Sequence, residues 1–113
     1  MQPAQHAKII IVGAGPAGLG TALHLAAQEP ALTKEILILE SKEHPRHKLC
    51  GGGVTFHGEQ QLKKLGLTVD VPAFVVKRLL FRLGALTFAT SHKGAMRITQ
   101  RTEFDAAIAR KVA

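Results

Sequence analysis

In the run Gly13-Ala14-Gly15-Pro16-Ala17-Gly18, glycine recurs at the first, third and sixth positions. That spacing suits backbone, rather than side chain, meeting a phosphate. Gly13 allows a tight turn, Gly15 leaves room for a pyrophosphate, and Gly18 lets a helix pack closely on the preceding strand. Pro16 suits a first helical turn, where its missing N–H costs nothing. The free N–H groups and partial positive charge of that turn then face the anion, Ala17 among them. Glu40 follows about twenty residues later, where a carboxylate accepts hydrogen bonds from ribose hydroxyls and disfavours a 2′-phosphate. Together these residues point to the adenosine half of FAD or NAD(H), not NADP(H).

A second group of reactive residues follows at once, in His44-Pro45-Arg46-His47-Lys48-Leu49-Cys50-Gly51-Gly52-Gly53-Val54. Three glycines beside a lone cysteine permit close backbone approach and positive φ. This reads either as a flexible surface loop or as a cradle for a flat cofactor. His44-x-x-His47-x-x-Cys50 offers three metal-ligand types, but structural zinc wants a fourth, and no metal is expected. Arg46 and Lys48 would favour the Cys50 thiolate, while a packing role accounts for the cysteine equally well. His24 reads as a packed or surface histidine and His57 as a helix-start residue.

The elements that must position these groups follow from periodicity and punctuation. Residues 8–12 and 36–40 read as apolar strands, with a helix over 16–28 between them and Glu29-Pro30 ending that helix. Residues 1–7 read as a leader and 41–53 as a basic, glycine-rich loop. A helix around 57–65 carries Leu62 and Leu65 on one face, with Gly66 as its C′ residue and Leu67 as its hydrophobic partner. Residues 74–82, 85–90 and 95–99 read as three antiparallel strands with turns at Leu83-Gly84 and Lys93-Gly94. Thr102-Glu103-Phe104-Asp105 reads as a helix start with an acid at N3 capping back, and that helix runs to Ala113. The expected fold is α/β: the N-terminal part of a Rossmann-like βαβ domain with an inserted antiparallel β-meander. A doubly wound sheet needs a third parallel strand, because two cannot cover both faces of a core. The expectation is therefore an N-terminal fragment of a longer protein.

Composition sets the remaining bounds. The chain has 113 residues, one domain's worth, with 46% hydrophobic but only 4% aromatic residues. Its core must be aliphatic. The formal charge is +7, yet the basic residues are scattered and stacking aromatics few, which argues against nucleic acid. One cysteine excludes an internal disulfide and suits a reducing, cytoplasmic compartment. Residues 9–27 carry no charge. Their glycines, in register with the fingerprint, argue against a membrane span or a signal peptide.

Gly13-x-Gly15-x-x-Gly18, Glu40, Pro45-Arg46-x-Lys48-x-Cys50-Gly51-Gly52-Gly53 and Arg101-x-x-Phe104-Asp105 together resemble the geranylgeranyl reductase family. These are FAD-dependent oxidoreductases related to para-hydroxybenzoate hydroxylase. The resemblance runs from Lys8 to Ala113, and the cysteine–glycine loop is its more specific part. It implies FAD, with Gly13, Gly15, Pro16, Ala17 and Gly18 around the pyrophosphate and Glu40 on the ribose. Cys50, Gly51 and Gly53 would line the flavin, and Arg101 would contact FAD. It implies residues 1–70 as the FAD-binding βαβ and flavin loop, 71–100 as part of a substrate-binding sheet, and 101–113 as a helix returning to the FAD domain. The implied substrate is an isoprenoid or lipid double bond reduced by flavin hydride, with an external electron donor of NADPH or ferredoxin type. Contact with a membrane would be peripheral. Members of that family are much longer, so activity of this chain alone is not implied. Three alternatives stand beside it: an FAD monooxygenase or halogenase, an NAD-dependent dehydrogenase, and a nucleotide-binding piece without turnover. The loop at 45–53 and Arg101 argue against the dehydrogenase.

Overall fold

The computed structural model describes residues 6–113; most of the leader read over 1–7 lies outside the described residues. Ile9–Val12 forms β1, Pro16–Gln28 forms α1, and a 3-10 turn over Pro30–Glu35 leads into β2, Ile36–Leu39. β1 and β2 pair in parallel, Ile9 opposite Ile36 through Val12 opposite Leu39. The ladder extends one step, with the Gly13 N–H donating to the Leu39 carbonyl at 2.7 Å. This register sets the start of the fingerprint beside Glu40. The turn itself needs glycine. Gly13 has φ +105, and a Cβ on Gly18 would run into the Gly13 carbonyl oxygen.

The second layer is a three-stranded antiparallel sheet in the order β3–β5–β4, from Gly53–Thr55, Leu86–Thr99 and Ala73–Leu83. The antiparallel insertion is present, but its strands differ from those expected. Residues 86–99 are one continuous strand, not two joined by a turn at Lys93-Gly94. Val76 pairs with Met96 and Arg78 with Ser91, so residues 92–95 bulge opposite Lys77. Gly94, at φ +82, sits in that bulge. A bulge and a hairpin turn both favour a glycine in this region, and here the chain keeps its direction. The third strand comes instead from Gly53–Thr55, directly after the glycine loop. The β4–β5 hairpin projects far from the rest, and the molecule is 64 Å in its longest dimension.

Two helices complete the packing. α2, Phe56–Lys64, starts at Thr55, whose hydroxyl accepts from the Gly58 N–H at 3.2 Å. It ends in a Schellman motif: Gly66 at φ +69 donates to the Lys63 carbonyl, and the Leu67 N–H to that of Leu62. Leu67 is buried as expected. α3, Arg101–Val112, has Gln100 as its cap residue, two residues before the expected cap Thr102, with no side-chain cap. Asp105 does not cap this helix; it turns inward and is buried. The core gathers Ala14, Leu19, Val69, Phe104 and Ile108, so α1 and α3 share it. It is aliphatic around one phenylalanine, and the Arg97 guanidinium lies 6.0 Å from that ring's centre. Arg97 also pairs with Glu59, tying β5 to α2.

Candidate functional site: a polar cleft beside an apolar pocket

α1 begins at Gly15, an N-cap residue with no side-chain cap. The first turn has no carbonyl one turn earlier to bond, so its N–H groups are available to a ligand. A cleft of about 510 Å³ opens here, lined by Gly13, Gly15, Pro16, Ala17, Glu40 and Arg101, with Arg46, Lys48 and their neighbours. Of the residues expected around the pyrophosphate and ribose, all but Gly18 line it; Gly18 lies against the Gly13 carbonyl instead. At Gly15 the cleft has room for a diphosphate. A Cβ there would stand 3.3 Å from Arg46 Nη2 and 3.8 Å from Arg101 Nη2. Two cations therefore converge where the fingerprint leaves room.

The peptide of Ala14 is held from both sides. Its N–H donates to Glu40 Oε2 at 2.8 Å, and His44 Nε2 donates to its carbonyl at 2.9 Å. His44, weighed above as a metal ligand, is thus a brace for the fingerprint, and its Nδ1 is buried without a partner. Among the described residues no three His, Cys, Asp or Glu side chains gather as a metal would need.

The Ala14 N–H, then the Lys42 N–H and the Arg46 charge, hold the Glu40 carboxyl at about 2, below the ordinary 4.5. The sign follows from linkage. A carboxyl whose folded value is depressed stabilises the fold fully above its unfolded value, and that contribution fades as pH falls from 4.5 towards 2. Glu40→Gln should therefore lower the urea midpoint at pH 7, with the gap to wild type closing over that acid window. Midpoints taken at intervals between pH 7 and 2 check this; a gap independent of pH would place the contribution elsewhere.

On the other side of Arg101 lies an apolar pocket of about 350 Å³. Cys50, Gly52 and Gly53 form one wall, Leu62 and Leu65 of α2 another, Phe104 and Ile108 of α3 a third. Pro16 and Arg101 border both this pocket and the polar cleft. Cys50 is exposed and accepts a long hydrogen bond from the Gly52 N–H at 3.4 Å. That N–H, and then Arg101, pull its thiol below the ordinary range. The expected source was Arg46 and Lys48, but Arg46 points instead to Glu40 and Asp105.

Gly51 and Gly53 were singled out, yet the demanding position is Gly52. It has φ +73, and a Cβ would collide with the Thr99 carbonyl oxygen. Thr99, buried at the end of β5, donates to the Gly52 carbonyl through its N–H at 2.8 Å and its hydroxyl at 3.0 Å. This joint fixes the glycine loop to the antiparallel sheet. Asp105 is the other residue missed by sequence reasoning, its capping pattern having concealed a buried ion pair.

The chain is similar in sequence to known proteins. Over 61 residues, 54% of the chain, it is 33% identical to a menaquinone reductase of Mycolicibacterium smegmatis. It is 36% identical over the same length to menaquinone reductases of two strains of Mycobacterium tuberculosis. The matched segment spans 14% of the length of those relatives. No helix among the described residues is long and apolar enough to cross a membrane. A family model described as an NAD(P)-binding Rossmann-like domain matches residues 11–101, a cradle for a flavin or nicotinamide cofactor. The chain belongs to the NAD(P)-binding Rossmann-like domain family.

Proposed function

We propose that this chain is the dinucleotide-binding part of an FAD-dependent reductase whose substrate carries an isoprenoid chain. The observation that carries the reading is the adjacency of two unlike sites across Arg101: a polar cleft at the fingerprint and an apolar pocket walled by the Cys50–Gly53 loop. A cofactor with a diphosphate at its middle and a flat ring at one end matches that sequence of environments. A nicotinamide reading accounts for the fingerprint but leaves the glycine loop without a task. The similarity to menaquinone reductases supports a redox enzyme. Menaquinone is a prenylated quinone, so the relatives' name and the resemblance to geranylgeranyl reductases meet in one substrate class.

Each residue then has a defined task. The N–H groups opening α1, with Arg101, hold the diphosphate; Glu40 accepts from the ribose. Gly53, with Gly52, would let backbone approach the ring, Gly51 lying outside the pocket lining, and Cys50 would set local polarity there. When bound, FAD supplies the hydride, and the electrons reach it from a donor of NADPH or ferredoxin type. The rest of the substrate pocket belongs to chain beyond the matched segment, with the β4–β5 hairpin as part of that sheet.

The test is direct. The product of the full gene, purified and supplied with FAD, should be yellow. Reduced without oxygen and mixed with a prenylated quinone, it should return a product two hydrogens heavier in the isoprenoid tail. A colourless protein that binds NAD would replace this reading with a dehydrogenase. Oxygen consumption with a hydroxylated aromatic product would move it to the flavin monooxygenases.

A further inference from the structure

We infer that Asp105 is a positioning residue that aims two guanidinium groups at the diphosphate cleft and couples that cleft to the Cys50 loop. The inference rests on the nucleotide-binding reading above. The Asp105 side chain is 0% exposed. Its Oδ1 accepts from Arg101 Nε at 2.6 Å; its Oδ2 accepts from Arg101 Nη2 at 2.9 Å and from Arg46 Nη1 at 3.2 Å. Arg46 Nε in turn lies 3.5 Å from Glu40 Oε2. Charges thus alternate from the ribose acid to the thiol side: Glu40, Arg46, Asp105, Arg101, with Cys50 beyond.

Fold stability does not explain such a carboxylate. An ion pair this deep is often matched by apolar residues of the same volume, because desolvation offsets the attraction. The geometry fits a clamp. Arg101 engages Asp105 through two nitrogens, which fixes the plane of its guanidinium. Arg46 is held by the same carboxylate from a different segment, the loop after β2. A guanidinium has five N–H donors. Each arginine therefore retains hydrogens for a ligand after binding Asp105. The two Nη2 atoms converge on Gly15, where the fingerprint leaves room for a diphosphate. A free arginine side chain loses rotamer entropy when fixed; Asp105 does that ordering before ligand arrives. Glu40 and Asp105 balance the two guanidiniums, so what the cluster offers an anion is directed N–H groups, not surplus charge.

Asp105→Asn keeps the shape and removes the charge. The expected result is at least a tenfold loss of affinity for ADP and for FAD, with adenosine affinity unchanged, by titration of the purified protein. A second readout needs no nucleotide: the pH profile of Cys50 alkylation by iodoacetamide, read on the Cys50 peptide by mass spectrometry. Cys50 accepts from the Gly52 N–H and lines the apolar pocket together with Arg101, whose carboxylate partner is Asp105. If Asp105 positions Arg101, its loss lets the guanidinium drift from the thiol and the alkylation midpoint moves to higher pH. If Asp105 were only a nearby negative charge, its loss would move the midpoint to lower pH. A lower or unmoved midpoint, or unchanged ADP affinity, would overturn the inference. Equal losses for adenosine and ADP would overturn it too, since they mark general damage to the fold.

Arg101→Lys covers the case in which Asp105→Asn does not fold. It retains the charge but cannot make the two-point contact, so ADP should weaken and the Cys50 midpoint should rise. Wild-type values for both in that variant would also overturn the clamp. A wild-type protein that binds ADP but not FAD would sink the flavin reading and leave the Asp105 inference standing on its ADP arm.

Discussion

Gly52→Ala is expected to destabilise the protein by about 3 kcal/mol or more, while Gly51→Ala one residue earlier changes stability by less than about 0.5 kcal/mol. Two effects add at Gly52. A left-handed conformation costs an L-residue about 1–2 kcal/mol, and Gly52 sits at φ +73. The new methyl group would also collide with the Thr99 carbonyl oxygen, which is backbone and cannot swing aside. Displacing Thr99 breaks two hydrogen bonds onto the Gly52 carbonyl, and Thr99 is buried, so water does not replace them. Each neutral bond is worth about 0.5–1.5 kcal/mol net, more when a buried group is orphaned. At Gly51 a Cβ meets nothing within 4 Å and φ is unremarkable. Urea unfolding of both variants checks the contrast. Similar losses at the two positions would mean that the loop is not anchored at Thr99.

The three glycines show where a sequence stops being legible. Side by side in one run, they have the same local chemistry, and only the distant strand end at Thr99 distinguishes them. The βαβ unit was legible because its signals are local: apolar strands of fixed length, glycine spacing, and an acid where β2 ends. The Schellman end of α2 was legible for the same reason, since Gly66 and Leu67 lie beside the helix they close. Gly94 was misread because positive φ serves both a hairpin and a bulge, and the pairing partner, not the glycine, decides between them. Asp105 was misread because its position after Thr102 matches a cap. Of its two partners Arg101 is four residues away, but Arg46, which brings in the loop after β2, lies 59 residues away in sequence. His44 follows the same rule: its spacing to His47 and Cys50 offers ligand types with no metal expected, and nothing local points to its contact, the Ala14 carbonyl in the fingerprint. Contacts between the loop after β2 and the elements around it are what composition and periodicity do not carry.

Gly15→Val should produce the opposite phenotype from Gly52→Ala: a folded protein that has lost its nucleotide. The backbone at Gly15 has φ −82 and ψ 179, an extended conformation open to any residue. A side chain there meets no backbone; its nearest neighbours are the terminal nitrogens of Arg46 and Arg101. Those ends can shift a few tenths of an ångström, so the fold absorbs the change. The ligand cannot. Two branched methyl groups would occupy the space over which both guanidiniums converge and through which a diphosphate reaches the opening N–H groups of α1. Charge-assisted hydrogen bonds are worth about 1.5–3 kcal/mol each, and losing two corresponds to more than about a hundredfold in affinity. Gly15→Ala, with one methyl group, should fall between wild type and valine. Thermal unfolding near the wild-type midpoint, combined with loss of ADP and FAD binding by titration, is the expected pair of results. A valine variant that still binds both at full affinity would show that the diphosphate does not pass over Gly15, and the cleft would need another ligand.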